Sequence, residues 1–99
     1  RCPVADTTYA DALAALRAEC GEPTYEREAG GSHDAMWGSV VAASVELNDI
    51  FGEVWIEASD AAGATYVWRL AGEVQPPDAP LTPLADAVRD AGAWLRGAR

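Results

Sequence analysis

The residues of this 99-residue chain that could do chemistry are few and far apart. Its one histidine, His33, stands in the run Ser32-His33-Asp34, the residue types of a nucleophile, base and orienting acid. Such a relay works when its members converge from different parts of a fold. Three neighbours in one stretch do not meet at a single reacting atom. Gly30 and Gly31 precede the run, which reads as the loop GGSHD and makes His33 a loop histidine without a catalytic role. Cys2, Cys20 and His33 lack the spacing of a zinc site. Glu53 and Glu57 stand either side of Trp55, and Asp86 and Asp90 lie one helical turn apart, but neither pair is placed in a cleft. Catalytic carboxylates need burial or a charged partner to tune them. No Gly-rich loop joins a strand to a helix where a phosphate could sit. The expectation is no catalytic residue, no metal ligand, no cofactor and no enzyme.

The elements that would position any site are easier to read. Glu53–Leu70, EVWIEASDAAGATYVWRL, has two runs rich in β-branched and aromatic residues around a small-residue turn, the sequence form of a β-hairpin. A three-residue loop 61–63 puts Gly63 at the left-handed position. It also fixes the pairs Ala58 with Tyr66, Ile56 with Trp68 and Val54 with Leu70 on one apolar face. Trp55 with Arg69, Glu57 with Val67 and Ser59 with Thr65 fall on the other. A slip of one residue would scramble both faces. Upstream, 36–47 alternates as one strand with Trp37, Val41, Ala43, Val45 and Leu47 on its apolar side. Asn48-Asp49 suits a two-residue turn that would pair Leu47 with Ile50, Val45 with Gly52, Ala43 with Val54 and Val41 with Ile56. Both turns choose the same core face. Pro23–Ala29 reads as a short outer strand, since proline cannot donate to a central ladder.

Two amphipathic helices flank the strands. The first runs from Thr7 or Thr8 to Cys20, with Tyr9, Leu13, Leu16 and Cys20 along one stripe and Gly21 and Pro23 to stop it. The second has Thr82 as N-cap, Pro83 at the first helical position and the stripe Leu84, Val88, Ala91 and Leu95. Residues 1–5 form an arm and 75–81 a Pro-rich connection. The fold expected is a single α+β domain over 1–99. It has two layers, a four-stranded antiparallel meander and an N-terminal and a C-terminal helix on one face, in the order α-β-β-β-β-α.

A formal net charge of −9, with seven Arg and no Lys, disfavours nucleic acid, whose phosphates are bound by cationic side chains. PTYE followed by GGSHDAMW, after a helix, resembles the first half of a double-stranded-RNA-binding domain over the first third of the chain. The sequence then departs from that pattern. The family's Lys-rich second-helix start is absent, a strand pattern occupies its place, and the charge is of the wrong sign. RNA binding is therefore not carried over. No apolar run nears the ~20 residues of a membrane span, and no membrane partner is expected. A Cys2–Cys20 bridge would be stretched across a helix of ~18 Å, so Cys20 reads as a small buried hydrophobe and Cys2 as a terminal thiol. A bridge would instead mark an exported chain. Without one, a cytoplasmic location is favoured.

What remains is a surface. Trp55, Phe51 and Val67, with Val40 and Ala42, are assigned to the outer sheet face and bordered by Glu46, Glu53, Glu57 and Arg69. Trp and Arg are enriched where partners dock, and an acidic surface steers a basic protein toward it. The expected function is a non-enzymatic protein-binding module, an acidic inhibitor or immunity-type protein acting on a basic partner being its most concrete form. The partner-binding residues are Trp55, Phe51, Val67, Arg69, Glu53 and Glu57, and homo-dimerisation through this face is a further expectation. The alternative is a structural or accessory domain of a larger, exported protein.

Overall fold

The computed structural model describes residues 7–50, 52–72 and 81–97. The arm 1–5, Cys2, Phe51 and most of the Pro-rich connection lie outside these residues. The first helix, α1 (Tyr9–Cys20), starts at Thr8, whose Oγ1 accepts a hydrogen bond from the Asp11 amide at 3.2 Å. Asp11 in its first turn and Arg17 in its last complement the helix dipole. Ala12 and Leu16 are fully buried, with Tyr9, Leu13 and Cys20 packed around them. The C-terminal end is held by a residue from the sheet, for Trp37 Nε1 donates to the Gly21 carbonyl at 2.7 Å. Cys20 is a half-buried free thiol, and burial, followed by the charge of Glu19, pushes its pKa up.

Five antiparallel strands follow in sheet order: β1 (Tyr25–Ala29), β2 (Ser32–Ser39), β3 (Ala43–Ile50), β4 (Glu53–Asp60) and β5 (Thr65–Ala71). The α+β meander is as expected, but with five strands rather than four. The stretch read as one strand over 36–47 is two, broken at 40–42, where the Ala42 amide bonds the Ser39 carbonyl at 3.1 Å. Val40 and Val41 are consequently exposed turn residues, Val41 at 78 % and not in the core. Nor does the chain turn at Asn48-Asp49. Both residues lie within β3, and Ile50 pairs with Glu53, so the strand runs on past the expected turn. Leu47 accordingly meets Ile56, Val45 meets Ala58 and Ala43 meets Asp60. Each partner lies six positions beyond the expected one, an even displacement that leaves every side chain on its expected face.

The second hairpin follows its sequence closely. Ala58 pairs with Tyr66, Ile56 with Trp68, Glu57 with Val67 and Trp55 with Arg69. Gly63, at φ 99°, supplies the left-handed residue of the loop. Asp60 adds a feature that spacing did not reveal, its Oδ1 accepting the amides of Ala62 and Ala64 at 3.0 and 2.9 Å. A bulge between Val54 and Trp55 shifts the last pair to Val54 with Ala71, instead of Leu70.

The second helix, α2 (Leu84–Gly97), opens with the Ala87 amide bonded to the Pro83 carbonyl at 3.0 Å, which puts Pro83 itself in the capping position rather than Thr82. The Thr82 amide instead donates to the Arg69 carbonyl of β5 at 2.7 Å. Both helices cover the same sheet face. Ala35, Trp37, Val45, Leu47, Val54, Ile56, Ala58 and Leu70 from the sheet meet Ala12, Leu16, Ala87, Val88 and Ala91 from the helices. Each large side chain enclosed there contributes about 1.5–3 kcal/mol. Tyr66 was expected within this layer, yet it is 53 % exposed, lying at the sheet margin in edge-on contact with Trp94. None of the described helices is long and apolar enough to cross a membrane.

The helices meet at Gly92, where a β-carbon would lie 2.6 Å from Glu19 Cγ. Glu19 is held there by Arg96 at 3.0 Å. Alanine at 92 gains about 1 kcal/mol in helix propensity but displaces that side chain. Gly92→Ala is therefore expected to be near neutral in the parent and stabilising by about 0.5–1 kcal/mol in a Glu19→Ala background. Urea unfolding of the four-member cycle checks this.

Candidate functional site: the uncovered sheet face

Because both helices lie on one side, alternate residues of all five strands form a second face that no described element covers. The register sets that face out in rows. One row reads Tyr25, Met36, Glu46, Glu57, Val67 from β1 to β5, and the next reads Arg27, Asp34, Asn48, Trp55, Arg69. Ser32, Ile50 and Glu53 begin a third. Tyr25 and Val67 are about half exposed and cap the ends of the first row, while Met36 and Trp55 are half-buried between strands. Asn48 is only 8 % exposed, in the centre of the sheet between Asp34 and Trp55.

Charge is distributed unevenly across these rows. Arg27 binds Asp34 directly, Nη2 to Oδ2 at 3.0 Å, as a cross-strand pair. One step away, Glu46 and Glu57 stand opposite each other on β3 and β4. Like charges directly opposed across strands are destabilising. No ion pair is formed by either glutamate among the described residues. The Glu46 carboxyl is raised above the usual carboxylate range by burial first, then by the charges of Asp34 and Glu57, with Arg27 only partly opposing them. The face thus combines aromatic and apolar side chains with a partly desolvated pair of like charges.

The structure brings Trp55, Val67, Arg69, Glu53 and Glu57 to this one face, in the pairs read from the hairpin. Phe51 lies outside the described residues. Val40 and Ala42 belong to the 40–42 turn and do not extend the face. The sequence reading did not single out Tyr25, Met36, Asp34 and Asn48. A signal for the first three is present in the sequence: Gly30-Gly31 is a two-residue hairpin turn that pairs Tyr25 with Met36 and Arg27 with Asp34, and the strand begins at Ser32 where the sequence reads as the loop GGSHD.

His33 is likewise not in a loop. It lies on β2, on the helix-bearing face, opposite Glu28 and Asp49 and stacked against Tyr9 at 5.0 Å between ring centroids. A shallow cleft of about 290 Å³ opens there, lined by Tyr9, Glu26, Arg27, Glu28, His33 and Asp34. No Ser, Thr, Cys or Lys side chain is among these, and Ser32 faces the opposite side of the sheet. Burial and the charges of Glu26, Asp34 and Asp49 push the Tyr9 hydroxyl up to about 12, so it stays protonated in any ordinary buffer. Among the described residues no group of His, Cys, Asp and Glu side chains is arranged to hold a metal ion. Comparison with protein-family models, with curated proteins and with solved structures gives no match.

Proposed function

We propose that the protein is a non-enzymatic binding module whose uncovered sheet face receives a basic protein, an inhibitor or immunity-type role being the concrete form. The observation that carries this reading is the Glu46–Glu57 pair. A fold selected only for its own stability gains nothing from opposing two carboxylates beside Trp55 and Met36. A partner's Arg or Lys placed over them would relieve the repulsion and give the half-buried aromatics an apolar counterpart. The net charge of −9 acts in the same direction, steering a cationic partner at a rate that falls as salt rises.

This reading predicts opposite effects of one substitution on folding and on binding. Because Glu46 is harder to ionise in the folded chain than in the unfolded one, its contribution to stability falls as pH rises through its raised pKa. Glu46→Gln is therefore expected to raise the unfolding midpoint at pH 7 while weakening capture of the partner by tenfold or more, a factor of ~1.4 kcal/mol. Calorimetry and a binding titration on the same sample decide it. A lower midpoint, or unchanged capture, contradicts the reading. Size-exclusion chromatography across a concentration series separates heterologous docking from pairing of two copies, for which a charge of −9 on each is unfavourable.

A further inference from the structure

The geometry around His33 points to a second property, independent of the uncovered face. We propose that His33 is a proton-operated fastener. Its protonated ring ties the edge strand β1 to β3 and holds the first turn of α1 down on the sheet, and loss of the proton releases that corner.

The argument rests on which atoms face the ring. Nε2 lies 3.0 Å from Glu28 Oε2 on β1, and Nδ1 lies 3.5 Å from Asp49 Oδ2 on β3. Nδ1 is shut off from solvent and makes no hydrogen bond. Tyr9 of α1 covers the ring face, 29° from parallel. Glu26 on β1 lines the same cleft, as do Arg27 and Asp34, which are paired to each other at 3.0 Å.

A neutral imidazole carries one proton and one lone pair. With the proton on Nε2, the Nδ1 lone pair faces the Asp49 carboxylate. With the proton on Nδ1, the Nε2 lone pair faces Glu28. Either tautomer sets a lone pair against a carboxylate, and only the imidazolium satisfies both sides. Asp49 is 22 % exposed and fixed within the sheet, whereas Glu28 is 76 % exposed. Glu28 is therefore the partner that swings away when the proton leaves, and β1 is the strand that loses its tie.

The sign follows from the raised pKa of His33, caused first by the Glu28 hydrogen bond, with Asp49 adding and desolvation opposing. A group whose folded pKa is raised contributes stability that is fully present below its unfolded value, about 6.5 for histidine, and is lost as pH rises through the folded value. The fastener is thus closed below the ordinary histidine value and opens as pH rises through the raised one.

His33 is the one histidine in the chain, so its ring resonances are unambiguous. Side-chain NMR titration of the 99-residue chain from pH 5 to 9 should give a midpoint above 6.5, with the amides of Tyr9, Glu28 and Asp49 following the same curve. Glu28→Gln should lower that midpoint while the rest of the spectrum stays native. In His33→Gln, the thermal midpoint should lose the fall that the parent shows as pH rises from about 6.5, the ordinary histidine value. A midpoint at or below the ordinary histidine value, amides that do not follow it, or a midpoint unmoved by Glu28→Gln each overturns the proposal. None of these outcomes depends on the identity of a partner.

Discussion

Trp37→Ala is expected to destabilise the fold by about 3–5 kcal/mol, the cost of emptying a fully buried aromatic site. That is a large share of the about 5–15 kcal/mol available to a domain. Trp37 is 1 % exposed and serves two layers at once. Its ring fills the sheet-side core beside Val45, its neighbour on β3, and its indole N–H satisfies the carbonyl of Gly21 just past the end of α1. Truncation leaves both a cavity and an unpartnered acceptor at a helix end. Trp37→Phe separates the two losses, because it retains most of the packing and should cost about 1–3 kcal/mol for the lost hydrogen bond and the smaller ring. Urea denaturation with an unchanged slope measures both, and a loss below about 1.5 kcal/mol for the alanine variant would mean that Trp37 does not anchor the helix.

Gly38→Ala, one residue on, should cost about 2–4 kcal/mol through an excess of atoms rather than a deficit. Gly38 has φ 95°, a left-handed backbone that costs an L-residue about 1–2 kcal/mol. A β-carbon there would stand 2.6 Å from the Ala43 carbonyl oxygen and 2.8 Å from Leu95 Cδ1. Leu95 can rotate aside, but the Ala43 carbonyl belongs to the β3 backbone. In a Leu95→Ala background the penalty of Gly38→Ala should therefore shrink without vanishing. A penalty abolished by that background would place the whole conflict at the helix, and one unaffected by it would place the whole conflict at the backbone.

The physics of these two positions also explains what was legible in the sequence. Parity was: period-two alternation fixed which side of each strand is core, and it survived even where the pairing was misjudged. The Asn48-Asp49 turn pairs Leu47 with Ile50, whereas Leu47 meets Ile56, and an even shift cannot turn a strand over. The strand count was not legible, because 36–47 alternates without a Gly, Pro or Asn at 40–42, and Gly38 was the one interruption. Asn48-Asp49 carried a turn signal that the fold overrides. Asn48 is taken into the middle of the uncovered face and Asp49 is recruited beside His33, so neither is available for a reversal. The corner around His33 is legible only in part: the Gly30-Gly31 turn sets Glu28 opposite His33, but Asp49 and Tyr9 reach it from β3 and α1 only when these meet in space.

The candidate site divides in the same way. Trp55, Glu57, Val67 and Arg69 lie on one hairpin whose register was readable, and they fall where expected. Glu46 opposes Glu57 only because of the six-residue displacement of β3 against β4, so the like-charge pair emerges from the structure alone. That pair links the fold to the proposed function: the domain carries a local electrostatic cost that a basic partner, if bound there, would remove.

The most direct measurement immobilises the parent and two variants, Trp55→Ala and the double Glu46→Gln/Glu57→Gln, and compares what each retains from lysate of the source cells at low and at high salt. Trp55 is half-buried on an uncovered face, so its removal should cost under about 1.5 kcal/mol and leave the domain folded, as circular dichroism can verify. The account predicts that the parent retains a basic protein, that its association slows as salt rises, and that both folded variants lose it by about 30-fold or more. Retention of the same protein by all three, at rates indifferent to salt, would contradict it.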